Sequence, residues 1–88
     1  MLYQRKPDIV VKHAADTHLL IPIGGGATSL YTLNRTALRL WEALAEPISA
    51  AKLAELAASE FQISEDVAAT DTKDFLNEML RLKLIHEA

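Results

Sequence analysis

The sequence changes character at Leu33, and this division limits the fold more than any other feature. Before it lie short apolar runs rich in β-branched residues, which are typical of strands. After it, apolar residues recur at helical spacing. The chain is therefore predicted to be an α+β protein, with a three-stranded antiparallel sheet followed by three helices. This arrangement is close to a winged helix-turn-helix.

Three short apolar runs are the predicted strands: residues 9–11, 18–23 and 29–33. Pro22 has no N–H to donate, so the second strand should end there or be unpaired on one side. Tyr31 and Leu33 should share one face of the third strand. Leu30 and Thr32 should share the other, because successive side chains of a strand point to opposite faces. A turn is predicted at residues 14–16.

Three polar residues are placed to cap the predicted helices: Asn34, Ser49 and Ser64. Their side-chain oxygens can accept hydrogen bonds from the free amides of a first helical turn. Trp41 falls on the apolar stripe of the first helix, so it is predicted to be a core residue. Pro47 is expected to end that helix, because the residue before a proline avoids the α region.

Composition indicates one small domain and excludes several classes of function. The chain has 88 residues, enough for a single domain over residues 1–88. It has no cysteine, which removes disulfides, thiolate metal sites and cysteine nucleophiles, and which fits a cytoplasmic location. No apolar run approaches the roughly 20 residues of a membrane span. The net charge of −3 lacks the basic surplus of a nucleic-acid binder.

Three contiguous glycines at positions 24–26 are the feature most similar to a phosphate-binding loop. A P-loop, however, needs a lysine and a hydroxyl at fixed spacing before a helix, and a dinucleotide loop needs spaced glycines. Here the glycines lead into a predicted strand. They are therefore predicted to be a flexible connection between strands.

Histidines and carboxylates show no catalytic or metal-binding pattern. His13 and His18 can approach each other across a turn, but no third ligand stands at the spacing of a zinc site. His86 is likewise predicted to be solvated or packed. Asp71 and Asp74 share one face of the third helix, where paired carboxylates are usually solvated. The chain is predicted to be no enzyme and to bind no metal or cofactor.

A winged-helix DNA-binding regulator is the alternative function. Arg35 and Arg39 form a small basic patch on the first helix. The second helix, residues 50–60, would be the recognition helix, but it carries one lysine and two glutamates among alanines. Base readout needs a helix dense in Arg, Lys, Asn or Gln. The sequence therefore argues against DNA.

The segments LYTLNRTA at residues 30–37 and LWEAL at 40–44 resemble the PqqD-like proteins, also called RiPP recognition elements. The family pattern is an aromatic strand, then Leu-Asn, a small residue and an Ile/Leu-Trp pair. The resemblance continues over residues 49–56, 71–76 and 80–85, and covers most of the chain. Glu46-Pro47 stands where the family often has Asp-Gly, and Lys83 stands where it often has glycine.

This resemblance implies a peptide-binding role. Such domains bind the leader segment of a ribosomally synthesised precursor peptide and present it to a modifying enzyme. The leader adds as a strand beside residues 28–32 and lies in a groove against the helix of residues 65–82. Strand addition to an exposed sheet edge is physically reasonable, because the edge offers unpaired amides and carbonyls. A third possibility, a subunit docked permanently onto an enzyme, overlaps with this role.

The predicted peptide contacts lie on the third strand and the third helix: Thr28, Ser29, Leu30, Tyr31, Thr32, Lys73, Leu76, Asn77, Leu80, Arg81 and Leu84. Leu76 and Leu80 are predicted as apolar contacts, with a purely core position as the open alternative. Lys73 and Arg81 are predicted to meet acidic leader residues. The partners are thus a precursor peptide and a modifying enzyme, with no nucleic acid and no membrane. A homodimer by strand exchange is also predicted from the glycine-rich connection.

Overall fold

The computed structural model describes residues 1–14, 17–22 and 31–88, and it confirms the α+β class. The elements in chain order are β1 (Leu2–Arg5), β2 (Ile9–Ala14), β3 (Thr17–Pro22), β4 (Tyr31–Leu33), α1 (Arg35–Ala43), β5 (Ile48–Ser49), α2 (Ala50–Phe61), α3 (Glu65–Arg81) and β6 (Ile85–Glu87). The predictions for the turn centre at residues 15–16 and for residues 23–30, including the glycine connection, lie outside the described residues.

The predicted antiparallel sheet is present, with the strand order β2-β3-β4. β2 pairs with β3 so that His13 lies opposite His18, and β4 pairs with β3 so that Tyr31 lies opposite Leu20. Along β4, Tyr31 is half-buried, Thr32 is exposed and Leu33 is buried. This alternation confirms the predicted faces of the strand and directs Leu33 into the core.

A second sheet, with the order β5-β1-β6, was not predicted from the sequence. β1 pairs with β5 through Tyr3 opposite Ile48, and with β6 through Arg5 opposite Ile85. Ile85 is the first residue of β6 and is buried. Strands of two to four residues are too short to show an alternating pattern, so sequence periodicity could not reveal this sheet.

All three predicted helix caps are confirmed. Asn34 Oδ1 accepts from the amide of Ala37 at 2.8 Å, and Ser49 Oγ accepts from the amide of Lys52 at 3.2 Å. Ser64 Oγ likewise accepts from the third residue beyond it, at 3.2 Å. The role given to Pro47 is wrong, because α1 ends at Ala43 before the proline is reached. The amide of Leu44 makes the last bonds of the helix, to the carbonyls of Leu40 and Trp41 at 3.1 and 3.2 Å.

The core lies where the helices meet the inner faces of both sheets. Trp41, at 1% exposure, is confirmed as a core residue. Its buried companions are Leu20, Leu33, Leu40, Leu44, Leu53, Ala57, Ala68, Phe75, Leu76, Met79, Leu84 and Ile85. The guanidinium carbon of Arg5 lies 5.8 Å from the centroid of the Trp41 ring, so β1 is also joined to the core by a cation–π contact.

α3 ends in a turn that usually contains glycine. Lys83 has a left-handed backbone with φ 61°. The amide of Leu84 donates to the carbonyl of Met79 at 2.9 Å, and the amide of Lys83 donates to the carbonyl of Leu80 at 3.1 Å. These two bonds form a Schellman motif. The helix therefore keeps the turn that a glycine would favour, although lysine occupies the position.

Candidate functional site

The free edge of β4 is the first element of the candidate site. β4 pairs with β3 along one side. On its other side no strand pairs with it among the residues that the structure describes. In an antiparallel strand, alternate residues direct their N–H and C=O groups toward each edge. The outer edge of β4 can therefore form a further backbone ladder.

A cavity of about 420 Å³ lies beside β4 and forms the second element. Tyr31 comes from β4, Leu40 from α1, Phe61 from the end of α2, and Asp74 and Phe75 from α3. Three aromatic rings and three aliphatic side chains supply the apolar part of its lining, and the rest is polar. The cavity thus offers a place for a side chain of a segment bound along β4.

Glu78 on α3 acts on the phenol of Tyr31, although it does not line the cavity. Partial burial of the phenol, and after it the charge of Glu78, raise the pKa of Tyr31 above its ordinary value. Arg81 Nε donates to Glu78 Oε2 at 3.1 Å, and this hydrogen bond lowers the pKa of Glu78. Glu78 therefore remains charged and faces the phenol of Tyr31 from α3.

The predicted contacts on α3 are placed in three different ways. Leu76 and Leu84 are 3% and 1% exposed and belong to the core. A core position was the alternative to peptide contact that the sequence left open for Leu76. Leu80 is half-buried against the core. Lys73, Asn77 and Arg81 are exposed. Peptide contact at all of these positions remains a prediction.

The remaining predicted contacts belong to β4 and the residues before it. Tyr31 lines the cavity and Thr32 is exposed at the strand, so both lie at the candidate edge. Thr28, Ser29 and Leu30 lie outside the described residues. Lys73 and Arg81 do not line the cavity. Arg81 is connected to the site through its ion pair with Glu78.

Sequence reasoning missed the role of the α3 carboxylates in this site. Asp71 and Asp74 line the cavity together with Phe75. Their spacing on one helical face was visible in the sequence. Both aspartates are exposed, as the sequence predicted, but the sequence could not show that this face also borders a cavity beside β4, because that depends on how α3 packs.

An ion pair at the surface makes the basic patch of α1 less positively charged than its sequence implied. Arg39 Nε lies 2.8 Å from Glu60 Oε2, and Lys52 in α2 lies 3.4 Å from Glu55. One of the two cations of the α1 patch, and the lysine of the helix that would read DNA, are thus matched by carboxylates. This pairing, with the net charge of −3, argues further against DNA.

The described residues contain neither a metal-binding cluster nor a membrane-spanning helix. Over residues 1–14, 17–22 and 31–88, no group of three or more His, Cys, Asp or Glu is arranged to hold a metal ion. His13 and His18 meet edge to face, with ring centroids 4.5 Å apart. Within those same ranges, no helix has the length and apolar character needed to cross a membrane.

The chain matches the family described as Coenzyme PQQ synthesis protein D (PqqD) over residues 17–85. The chain belongs to the PqqD family. The PqqD match begins with β3 and ends at the first residue of β6, so it contains both β4 and α3. The candidate site is therefore built entirely from the part of the chain that the PqqD family shares. No curated protein sequence matches the chain significantly.

Two solved structures share the fold of this PqqD-family chain. TbiB1 in complex with the TbiA(beta) leader peptide has a TM-score of 0.77 and 19% identity, covering 97% of this chain and 96% of that chain. Lasso peptide synthetase B1 complexed with the leader peptide has a TM-score of 0.75 and 20% identity, with 96% of each chain covered. The similarity extends over nearly the whole length of both chains, so the complete arrangement of elements is shared.

Proposed function

We propose that this PqqD-family protein binds the leader segment of a ribosomally synthesised precursor peptide by strand addition to β4. The observation that carries the proposal is the outer edge of β4, which no strand pairs with among the described residues, beside a cavity walled by α3. Membership of the PqqD family supports it. So do the two similar structures, each of which is a complex with a leader peptide.

Strand addition divides the recognition into two parts. The peptide backbone extends the β2-β3-β4 sheet and accepts and donates hydrogen bonds along β4, which gives affinity independent of sequence. Alternate side chains of the added strand then point toward α3, because side chains alternate between the two faces of a strand. One of them can enter the cavity lined by Tyr31 and Phe75, which gives specificity.

The protein is proposed to present the peptide and to leave the chemistry to a separate modifying enzyme. The groove contains hydrogen-bonding edges, aromatic rings and carboxylates, and these groups suit binding and orientation. We also propose that residues 1–88 form a single domain and that the protein is cytoplasmic. A homodimer formed by strand exchange is part of the same proposal. Light scattering over a range of protein concentrations tests the dimer.

Backbone N-methylation of the peptide tests strand addition directly. Candidate leaders are the peptides encoded by short reading frames beside the gene, and binding is measured by fluorescence anisotropy. Each lost backbone hydrogen bond removes about 1 kcal/mol, so N-methylation at an edge-facing position should weaken binding about five- to tenfold. Methylation at the intervening positions should have little effect, because their amides point away from β4.

The alternating pattern of loss is specific to a strand. A peptide bound as a helix would lose affinity at consecutive internal positions, and a peptide bound only by its side chains would lose little at any position. Either pattern, or the absence of binding by every neighbouring candidate, would argue against the proposal. The measurement leaves the protein unchanged, so it is not affected by variants that fail to fold.

A further inference from the structure

We propose that the bound leader segment carries a lysine or arginine whose side chain enters the cavity beside β4 and is held by Asp71 and Asp74. This inference rests on the proposed function, because it names the chemistry that the same groove selects. The leader residue proposed here is basic. The leader residues predicted from the sequence to meet Lys73 and Arg81 are acidic.

The two carboxylates of the cavity are its main source of charge. Asp71 and Asp74 are three residues apart on α3, so they lie on the same helical face, and both line the cavity. No lysine, arginine or histidine stands among the described residues that line it. A side chain entering this space therefore meets negative charge without a compensating cation.

These aspartates differ from the other carboxylates near the groove. Glu60 pairs with Arg39, and Glu78 pairs with Arg81. In the described part of the chain, Asp71 and Asp74 form neither an ion pair nor a side-chain hydrogen bond. Their acceptor capacity is available to a ligand that supplies N–H donors and positive charge.

The apolar walls fit the rest of such a side chain. Lysine and arginine have aliphatic stems that pack on apolar surface while the charged end reaches polar groups. Tyr31, Phe61 and Phe75 supply the aromatic surface, against which a cation is also attracted. The volume of about 420 Å³ is ample for one long side chain. A purely aliphatic or aromatic residue would use these walls but gain nothing from the two exposed carboxylates, which would stay hydrated.

The charge of α3 changes along the groove. Asp71 and Asp74, at the cavity, form no ion pair with any residue that the structure describes, whereas Glu78, further along the same face, is matched by Arg81. An acidic leader residue would thus be repelled at the cavity and tolerated only toward Arg81. The position of a basic residue relative to the rest of the leader is therefore expected to set the register of the added strand on β4.

Selection from a phage-displayed library of short random peptides tests the inference with the full chain as bait. We expect the recovered peptides to share a lysine or arginine at one position within an extended apolar segment. Selection on the Asp71→Asn/Asp74→Asn variant should lose this enrichment. The control variant Asp8→Asn/Glu46→Gln removes the same amount of charge from exposed positions that do not line the cavity, and should keep it.

A double-mutant cycle then measures the contact. For the strongest recovered peptide, Asp71→Asn/Asp74→Asn should raise Kd about tenfold at low salt, and less at high salt, because salt screens exposed charges. When the basic residue of the peptide is replaced by norleucine, the same protein variant should change Kd by less than about twofold. Circular dichroism and thermal unfolding of the variant verify that it is folded.

The two proposals fail in different ways. If peptides bind and show the alternating N-methylation pattern, yet carry no enriched basic residue and bind the Asp71→Asn/Asp74→Asn variant equally well, the basic residue is wrong and strand addition stands. If the basic residue is enriched but the N-methylation pattern does not alternate, strand addition is wrong and the acidic cavity stands. If no peptide binds the folded protein, both are wrong.

Discussion

Arg39 in α1 donates its Nε–H to both carboxylate oxygens of Glu60 in the last turn of α2, at 2.9 and 2.8 Å. The residues that follow each of them, Leu40 and Phe61, line the cavity beside β4. The ion pair therefore joins the two helices next to the candidate site. The two side chains are 35% and 39% exposed, so solvent weakens their attraction.

Replacing Arg39 should have a small, measurable effect on stability. Because the ion pair is partly exposed, we expect Arg39→Met to lower the free energy of unfolding by about 0.5–1 kcal/mol in urea titrations. Glu60→Gln should have a similar effect, and the double variant should cost less than the sum of the two. Strict additivity in this cycle would show that the two side chains do not interact in solution.

Lys83→Gly should stabilise the protein. Lys83 has φ 61°, where a side chain costs about 1 kcal/mol and glycine is favoured, so we expect a gain of about 0.5–1 kcal/mol in unfolding free energy. Lys73→Gly is the matched control, because it makes the same replacement at an exposed position inside α3. That variant should lose about 1 kcal/mol. A loss at both positions would contradict the left-handed turn.

Leu76→Ala distinguishes a core position from a peptide contact. Leu76 is 3% exposed, so truncation should cost roughly 2–5 kcal/mol of unfolding free energy. Val67→Ala, at a position that is 49% exposed on the same helix, should change stability by less than about 0.5 kcal/mol. If Leu76→Ala is nearly as stable as the native protein but loses peptide affinity, Leu76 contacts the peptide and is not a core residue.

Tyr31 should titrate at a higher pH than an ordinary tyrosine. Burial and the charge of Glu78 raise its pKa, so the folded protein holds the phenol proton more tightly than the unfolded chain does. The stability from this difference is present below the ordinary tyrosine pKa and is lost as the pH rises through the raised value. Ultraviolet difference absorbance of tyrosinate follows the titration.

Two variants assign that titration. Tyr31→Phe should remove the late step of the absorbance change. Glu78→Gln should lower the pKa of Tyr31 only in part, because burial is the larger cause of the shift. A Tyr31 pKa at the ordinary value in the native protein would contradict the placement of the phenol beside Glu78.

Local chemistry determined much of this protein from the sequence alone. Each helix begins after the residue predicted as its cap, because an Asn or Ser side chain bonds an amide only three residues away. The faces of β4 followed from alternation, which is a property of any strand. The short motifs around Tyr31, Asn34 and Trp41 also indicated the PqqD family, whose match to the chain establishes that membership.

Tertiary structure alone decided the second sheet and the candidate cavity. β1 pairs with β5 and β6 from distant parts of the chain, and strands so short carry no periodic signal. In the same way, Asp71 and Asp74 are exposed carboxylates on a helix face, and only the packing of α3 places them at the same cavity as Tyr31. Local patterns are set by neighbours along the chain, whereas the chemistry of a groove is set by which surfaces meet across it.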